Sequence, residues 1–138
     1  MIYFNYFTCK EFFPNCSDAE ILQCCKEGFL DSILSLFQVL DAFRDKVGYP
    51  IIVTSTFRDA AHNKRVGGVA TSQHLYGSAV DFMCPKVPFS TFQYLFKEFI
   101  EESTLKVLLG QCIIYNKKQF IHLALRTPRH PKFYLIYA

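Results

Sequence analysis

Two side chains that bind metal ions well, His74 and Asp81, stand seven positions apart in the run Ser72-Gln73-His74-Leu75-Tyr76-Gly77-Ser78-Ala79-Val80-Asp81. Between them a glycine turn leads into a short apolar alternation. A third candidate, His122, sits in Phe120-Ile121-His122-Leu123-Ala124-Leu125. There a period of two sends Ile121, Leu123 and Leu125 to one face and His122 to the other. A strand that buries one face and offers a histidine on the opposite one makes a wall for a metal cleft.

The elements that must carry these residues can be read from caps, periodicity and breakers. Ser17-Asp18-Ala19-Glu20 is a capping box, so a helix is predicted to begin there, with Gly28 interrupting it. From Phe29 onward Leu30, Ile33, Leu34, Phe37, Leu40 and Phe43 recur at spacings of three and four, the stripe of a helix that packs on a core and stops at Gly48-Tyr49-Pro50. Ile51-Ile52-Val53-Thr54 reads as a buried strand, and Asp59 to Val66 as a helical turn ending at Gly67-Gly68, where glycine relieves the cost of a left-handed cap. The loop from Val69 to Ser72 delivers His74.

Ala79 to Met83 alternates, so Ala79, Asp81 and Met83 share a face, and the small Ala79 leaves room beside the carboxylate. Pro88 and Ser90 open a helix through about Glu102, with Phe92, Leu95, Phe96 and Phe99 inside. Gln111 to Tyr115 and Phe120 to Leu125 form a hairpin over Asn116-Lys117-Lys118-Gln119, and Lys132 to Tyr137 adds an edge strand. The fold class expected is α+β, with helices packed on one side of a small, mostly antiparallel sheet, as one domain over residues 1–138.

Composition narrows the function classes. With 138 residues, 51% of them hydrophobic, the chain can bury a core without staples. A net charge of +3 without a clustered basic face argues against nucleic acid. The basic groups Lys117-Lys118 and Arg126 to Lys132 read as a hairpin tip and a tail loop. No apolar run approaches the roughly 20 residues of a membrane span, and the start lacks a basic n-region, so a soluble, cytoplasmic monomer is expected. The six cysteines (Cys9, Cys16, Cys24, Cys25, Cys84, Cys112) match no zinc-finger spacing and are read mostly as reduced, small buried hydrophobes.

The order of several segments carries a resemblance. Thr54-Ser55-Thr56-Phe57-Arg58, then Ala61-His62-Asn63-Lys64-Arg65-Val66-Gly67-Gly68, then Ser72-x-His74-x6-Asp81, and last Phe120-Ile121-His122 together resemble the zinc D-Ala-D-Ala carboxypeptidase family. That family includes phage endolysins and shares its fold with the Hedgehog signalling domain. The resemblance runs from about Phe7 to Leu125 and implies a Hedgehog/DD-peptidase-like fold. It also implies Zn2+ bound by His74, Asp81 and His122, with water or a substrate oxygen in the fourth position. Two imidazoles and one carboxylate suit that borderline-soft ion independently, and three protein ligands leave a position open. The resemblance further implies that Arg58 holds substrate charge or a developing oxyanion, and that Ser72 contacts substrate or orients a ligand. The implied partner is peptidoglycan or its stem peptide, in the manner of compact phage-encoded peptidases released from the host cytoplasm to act on the wall.

One departure stands against these agreements. Family members usually carry a glutamate general base a few residues before the last histidine or at the end of the preceding strand. Here those places hold Gln119 and Tyr115 or Asn116. Loss of a general base typically costs about 10²- to 10⁴-fold in rate, and Tyr115 is the residue left to donate or relay a proton. Three readings follow: a zinc peptidase cutting the stem peptide, a zinc-loaded cell-wall or protein binding module, and a metal-free structural protein. Arg58 as an ion pair with Asp59 or Asp81, Ser72 as a turn residue, and His62 and His130 as structural or exposed groups are the plainer alternatives.

Overall fold

The computed structural model describes residues 4–138. Helix α1 (Asp18–Lys26) starts at the Ser17 capping box: Ser17 Oγ accepts the Glu20 N–H at 3.2 Å, and Glu20 Oε1 accepts the Ser17 N–H at 3.2 Å. After the break at Gly28, α2 (Leu30–Val47) carries the long apolar stripe to Gly48. Burial extends beyond the expected stripe to Leu36 and Val39, because the helix is covered on more than one side. Strand β1 (Ile52–Ser55), the short α3 (Ala60–Arg65) and β2 (Ala79–Met83) follow. Helix α4 (Phe89–Glu102) begins straight after Pro88, whose missing N–H costs nothing at a helix start. Strands β3 (Leu109–Tyr115), β4 (Phe120–Leu125) and β5 (Tyr134–Tyr137) complete the chain.

The five strands form one sheet in the order β1-β2-β4-β3-β5. All neighbours are antiparallel except β3 and β5, which run parallel. The edge strand is therefore present as expected, in an orientation its sequence could not reveal. It is shorter than the predicted segment, and β3 starts earlier, at Leu109.

One sheet face packs on α2 and α4 through an aromatic cluster. Phe43 of α2 meets Phe92, Phe96 and Phe99 of α4 at ring-centroid distances of 5.5, 5.0 and 5.3 Å, and Phe82 of β2 meets Phe92 and Phe96 at 5.9 and 5.5 Å. Edge-to-face and tilted pairs at such distances add to the burial of these large side chains. The opposite face, with Asp81, His122 and Ile113, is free for the cleft.

The cysteines correct one expectation. Cys24, Cys84 and Cys112 are buried, but Cys16 is only half-buried, and Cys9 and Cys25 are exposed. Burial pushes the Cys112 thiol up to about 12 and the Cys24 thiol to about 11, so these two are packing groups rather than nucleophiles.

Phe43 is fully buried at the α2–α4 contact, so Phe43→Ala is expected to lower stability in denaturant unfolding by about 3 to 5 kcal/mol; a loss under about 1 kcal/mol would contradict this packing.

Candidate metal centre

Asp81 and His122 are brought together by strand register. They oppose each other directly across β2 and β4, while Ser55 of β1 opposes Asp81 on its other side. Opposed side chains on one face of an antiparallel pair lie close enough to interact. His74 arrives from a different direction. Ser72 Oγ accepts the His74 N–H at 3.2 Å and starts a 3-10 turn, Gln73–Tyr76, that closes at Gly77.

The atoms then converge. His74 Nε2 lies 3.1 Å from Asp81 Oδ1, and His122 Nδ1 lies 2.8 Å from the same oxygen. One ligand atom from each of the three residues falls within 4.8 Å of the others. His74 Nδ1 is 2.6 Å from the Thr56 carbonyl. A carbonyl only accepts, so Nδ1 is the donor in that bond and the lone pair of a neutral ring sits on Nε2. Facing Asp81 Oδ1, that nitrogen is satisfied either by a proton donated to the carboxylate or by a metal ion in the proton's place. Ligand atoms bound at about 2.0 to 2.1 Å to a tetrahedral ion stand roughly 3.3 Å apart, close to the separations found here. The Thr56 carbonyl is the kind of outer partner that fixes a ligating imidazole in one tautomer. The donor set thus fits zinc.

Burial alone would raise the Asp81 carboxyl. The hydrogen bonds and charge of His122 and His74 overcome it and hold the group well below the usual carboxylate range.

Arg58 completes the constellation. Its Nη2 stands 3.5 Å from Asp81 Oδ2, its Nε donates to Ser55 Oγ at 3.0 Å and its Nη1 donates to Asn63 Oδ1 at 3.3 Å. Asn63 is itself fixed, donating through Nδ2 to the Val69 carbonyl at 2.9 Å. Of the plainer alternatives for Arg58, pairing with Asp81 occurs and pairing with Asp59 does not: Asp59 instead caps α3, accepting the His62 N–H at 2.7 Å. The two glycines divide the work assigned to them jointly. Gly67, at φ 75°, takes the left-handed conformation, whereas at Gly68 a Cβ would run into Asn63 Oδ1 and lie 3.1 Å from Arg58 Nη1.

Sequence reasoning missed this clamp of Ser55 and Asn63, and it missed Thr56. It also missed a second duty of Glu20. That residue is 3% exposed, and its Oε2 accepts the Asp59 N–H at 3.0 Å and faces His62 Nδ1 at 2.8 Å. Burial raises its carboxyl, but the Asp59, His62 and Ser17 hydrogen bonds prevail and lower it. His62 is thus a structural residue that ties α1 to α3.

The centre opens into a cleft of about 860 Å³ lined among others by Ser72, Tyr115, Lys118, Arg129 and His130. Tyr115 stacks on Phe120 with centroids 4.4 Å apart. Burial, and then the charge of Asp81, raises its phenol. The two alternative positions for the family glutamate lie elsewhere. Asn116 and Gln119 are exposed and off the cleft lining, and Asn116 accepts a hydrogen bond from Gln93 at 3.0 Å.

The chain matches the Peptidase M15 family over residues 5–124. It belongs to that family. At family level these are zinc peptidases of the D-Ala-D-Ala carboxypeptidase type that act on peptidoglycan. A search of the curated proteins finds no match. The M15 match covers Arg58 and all three candidate ligands, and residues 125–138 lie beyond it. No helix among the described residues is long and apolar enough to cross a membrane.

Purified protein loaded with zinc is expected to hold about one ion per chain by metal analysis, and His74→Ala or His122→Ala to lose it; full retention in both variants would remove these residues as ligands. A second outcome follows from Asp81, whose folded-state pKa is depressed. Its contribution to stability is present above its unfolded pKa of about 3.9 and fades as pH falls below that value. In metal-free protein the stability advantage of wild type over Asp81→Asn should therefore be greatest near neutrality and shrink in acid. An advantage that grew in acid would reverse the assigned sign.

Proposed function

We propose that this M15 protein is a zinc-dependent hydrolase of a peptide bond in the peptidoglycan stem. The observation that carries the reading is the convergence of His74, Asp81 and His122 on one point beside a clamped arginine. His74, Asp81 and His122 would hold the ion. When bound, zinc polarises a carbonyl and acidifies its water toward neutral pH.

The remaining roles belong to the chain's own groups. Arg58 is held on three sides, so its guanidinium is pre-oriented toward negative charge developing beside the metal, or toward a substrate carboxylate. Ser72 fixes the turn that aims His74, and it contacts substrate from the cleft wall. Tyr115 is the proton-handling group of the hairpin. Its phenol stays protonated at neutral pH and can give a proton to the departing amine nitrogen.

A second reading has one observation in its favour. The positions where the family places its glutamate are filled by Asn116 and Gln119, neither on the cleft lining, and by Tyr115, which is no base at neutral pH. On that reading the loaded site binds a wall peptide without cutting it.

Incubation of zinc-loaded protein with purified peptidoglycan, followed by mass spectrometry, is expected to release stem fragments, and a chelator to stop the release. Arg58→Gln should lower kcat/KM by about 10²- to 10³-fold. Tyr115→Glu restores a carboxylate at the one cleft-lining candidate and should raise the rate about tenfold or more. Loaded protein that binds wall fragments and releases none would favour the binding module.

A further inference from the structure

The tail beyond the family match builds its own wall of the cleft. After β4 the chain forms a tight turn in which Thr127 and His130 pair, the Thr127 N–H reaching the His130 carbonyl at 3.2 Å and the His130 N–H the Thr127 carbonyl at 3.0 Å. The turn is pinned to the body by the Arg126 N–H, which donates to the Leu108 carbonyl at 2.8 Å. The His130 carbonyl sits so close over Gly110 that a Cβ there would come within 2.8 Å of it.

The polar groups of this turn are ordered by a relay from the sheet. Gln111 Nε2 donates to Tyr134 Oη at 2.6 Å, and Tyr134 Oη lies 2.8 Å from His130 Nδ1. Gln111 already donates to this oxygen, and His130 Nδ1 is the acceptor placed within reach of the hydroxyl's own proton, so Oη–H donates to Nδ1. The tautomer this selects carries its own proton on Nε2, so the ring offers an N–H donor. Both His130 and the exposed Arg129 line the cleft, and Asp81, already engaged by His74, His122 and Arg58, is the one acid among the lining residues. An N–H donor and a guanidinium on the same cleft wall, with no competing carboxylate, suit a carboxylate ligand.

We propose that Arg129 and His130 form an anion subsite, separate from the metal centre, that selects peptides carrying a second free carboxylate. The subsite deepens the peptidase reading and rests on it for the identity of the peptide. Leu125, where the tail begins, is three residues along β4 from His122, about 10 Å at a strand rise of about 3.3 Å per residue. An extended peptide spans that distance in about three residues. The recognised carboxylate therefore belongs to a residue further along the bound peptide than the bond held at the metal.

The test is equilibrium binding by calorimetry, independent of cleavage. The probes are a stem-type tetrapeptide with two free carboxylates and the same peptide with the non-terminal one converted to its amide. The zinc-loaded wild type should bind the dicarboxylate about tenfold or more tightly than the amide, as expected for a charge-assisted contact. Arg129→Gln/His130→Gln should erase that preference while leaving affinity for the amide form unchanged, and Arg129→Lys should retain part of it. The melting temperature of each variant checks that the fold is intact. Equal affinity of the wild type for the two peptides, preference surviving in the double variant, or binding of neither peptide would overturn the subsite. A preserved preference pattern without any cleavage of peptidoglycan would sustain the subsite and defeat the peptidase reading alone.

Discussion

A buried carboxylate is the constraint around which this molecule is arranged. Asp81 sits in the middle of the sheet at 7% exposure, where an unpaired negative charge would be costly. Its oxygens are met by His74 and His122 on one side and by Arg58 on the other. Each partner comes from a different part of the chain, so the charge can be accommodated only once the sheet, the 3-10 turn and the loop before α3 are all in place. Removing one partner from such a cluster leaves the others uncompensated. The site and the fold are, in this sense, one cooperative unit.

The supporting structure is asymmetric in a way that serves this unit. The helix-facing side of the sheet is filled by phenylalanines, which supply rigidity without polar demands. The cleft side is built from hydrogen bonds instead: Thr56 on His74, Ser55 and Asn63 on Arg58, Glu20 on Asp59 and His62. Functional geometry held by a second ring of polar contacts is more exact than geometry held by packing alone. Between Arg58 and Gly77, these contacts fix how the short α3 and the 3-10 turn sit against the sheet.

Much of this was legible in the residues themselves, and the unequal success has physical reasons. The capping box at Ser17, the stripe of α2 and the β3–β4 hairpin are local patterns, and each forms where its pattern lies. His74, Asp81 and His122 were recognisable because their spacing and residue types are chemically unusual. The clamp on Arg58 and the second duty of Glu20 depend on side chains far apart in the chain, which no period encodes. Glu20 is instructive: its place in the capping box was visible, yet its burial against His62, 42 positions away, was not. The parallel pairing of β5 was hidden for the same reason, since a strand's sequence does not state its direction. Cysteine burial failed because thiols exposed on α1 and in the first turn look, by residue type, like those in the core.

The most direct test of the account is a diffraction experiment at the zinc absorption edge on zinc-loaded crystals. The account requires a single anomalous peak at about 2.0 to 2.2 Å from His74 Nε2, a carboxylate oxygen of Asp81 and His122 Nδ1, with one further position left to solvent. A zinc ion held by other side chains, or none at this point while the three residues keep their present arrangement, would contradict it.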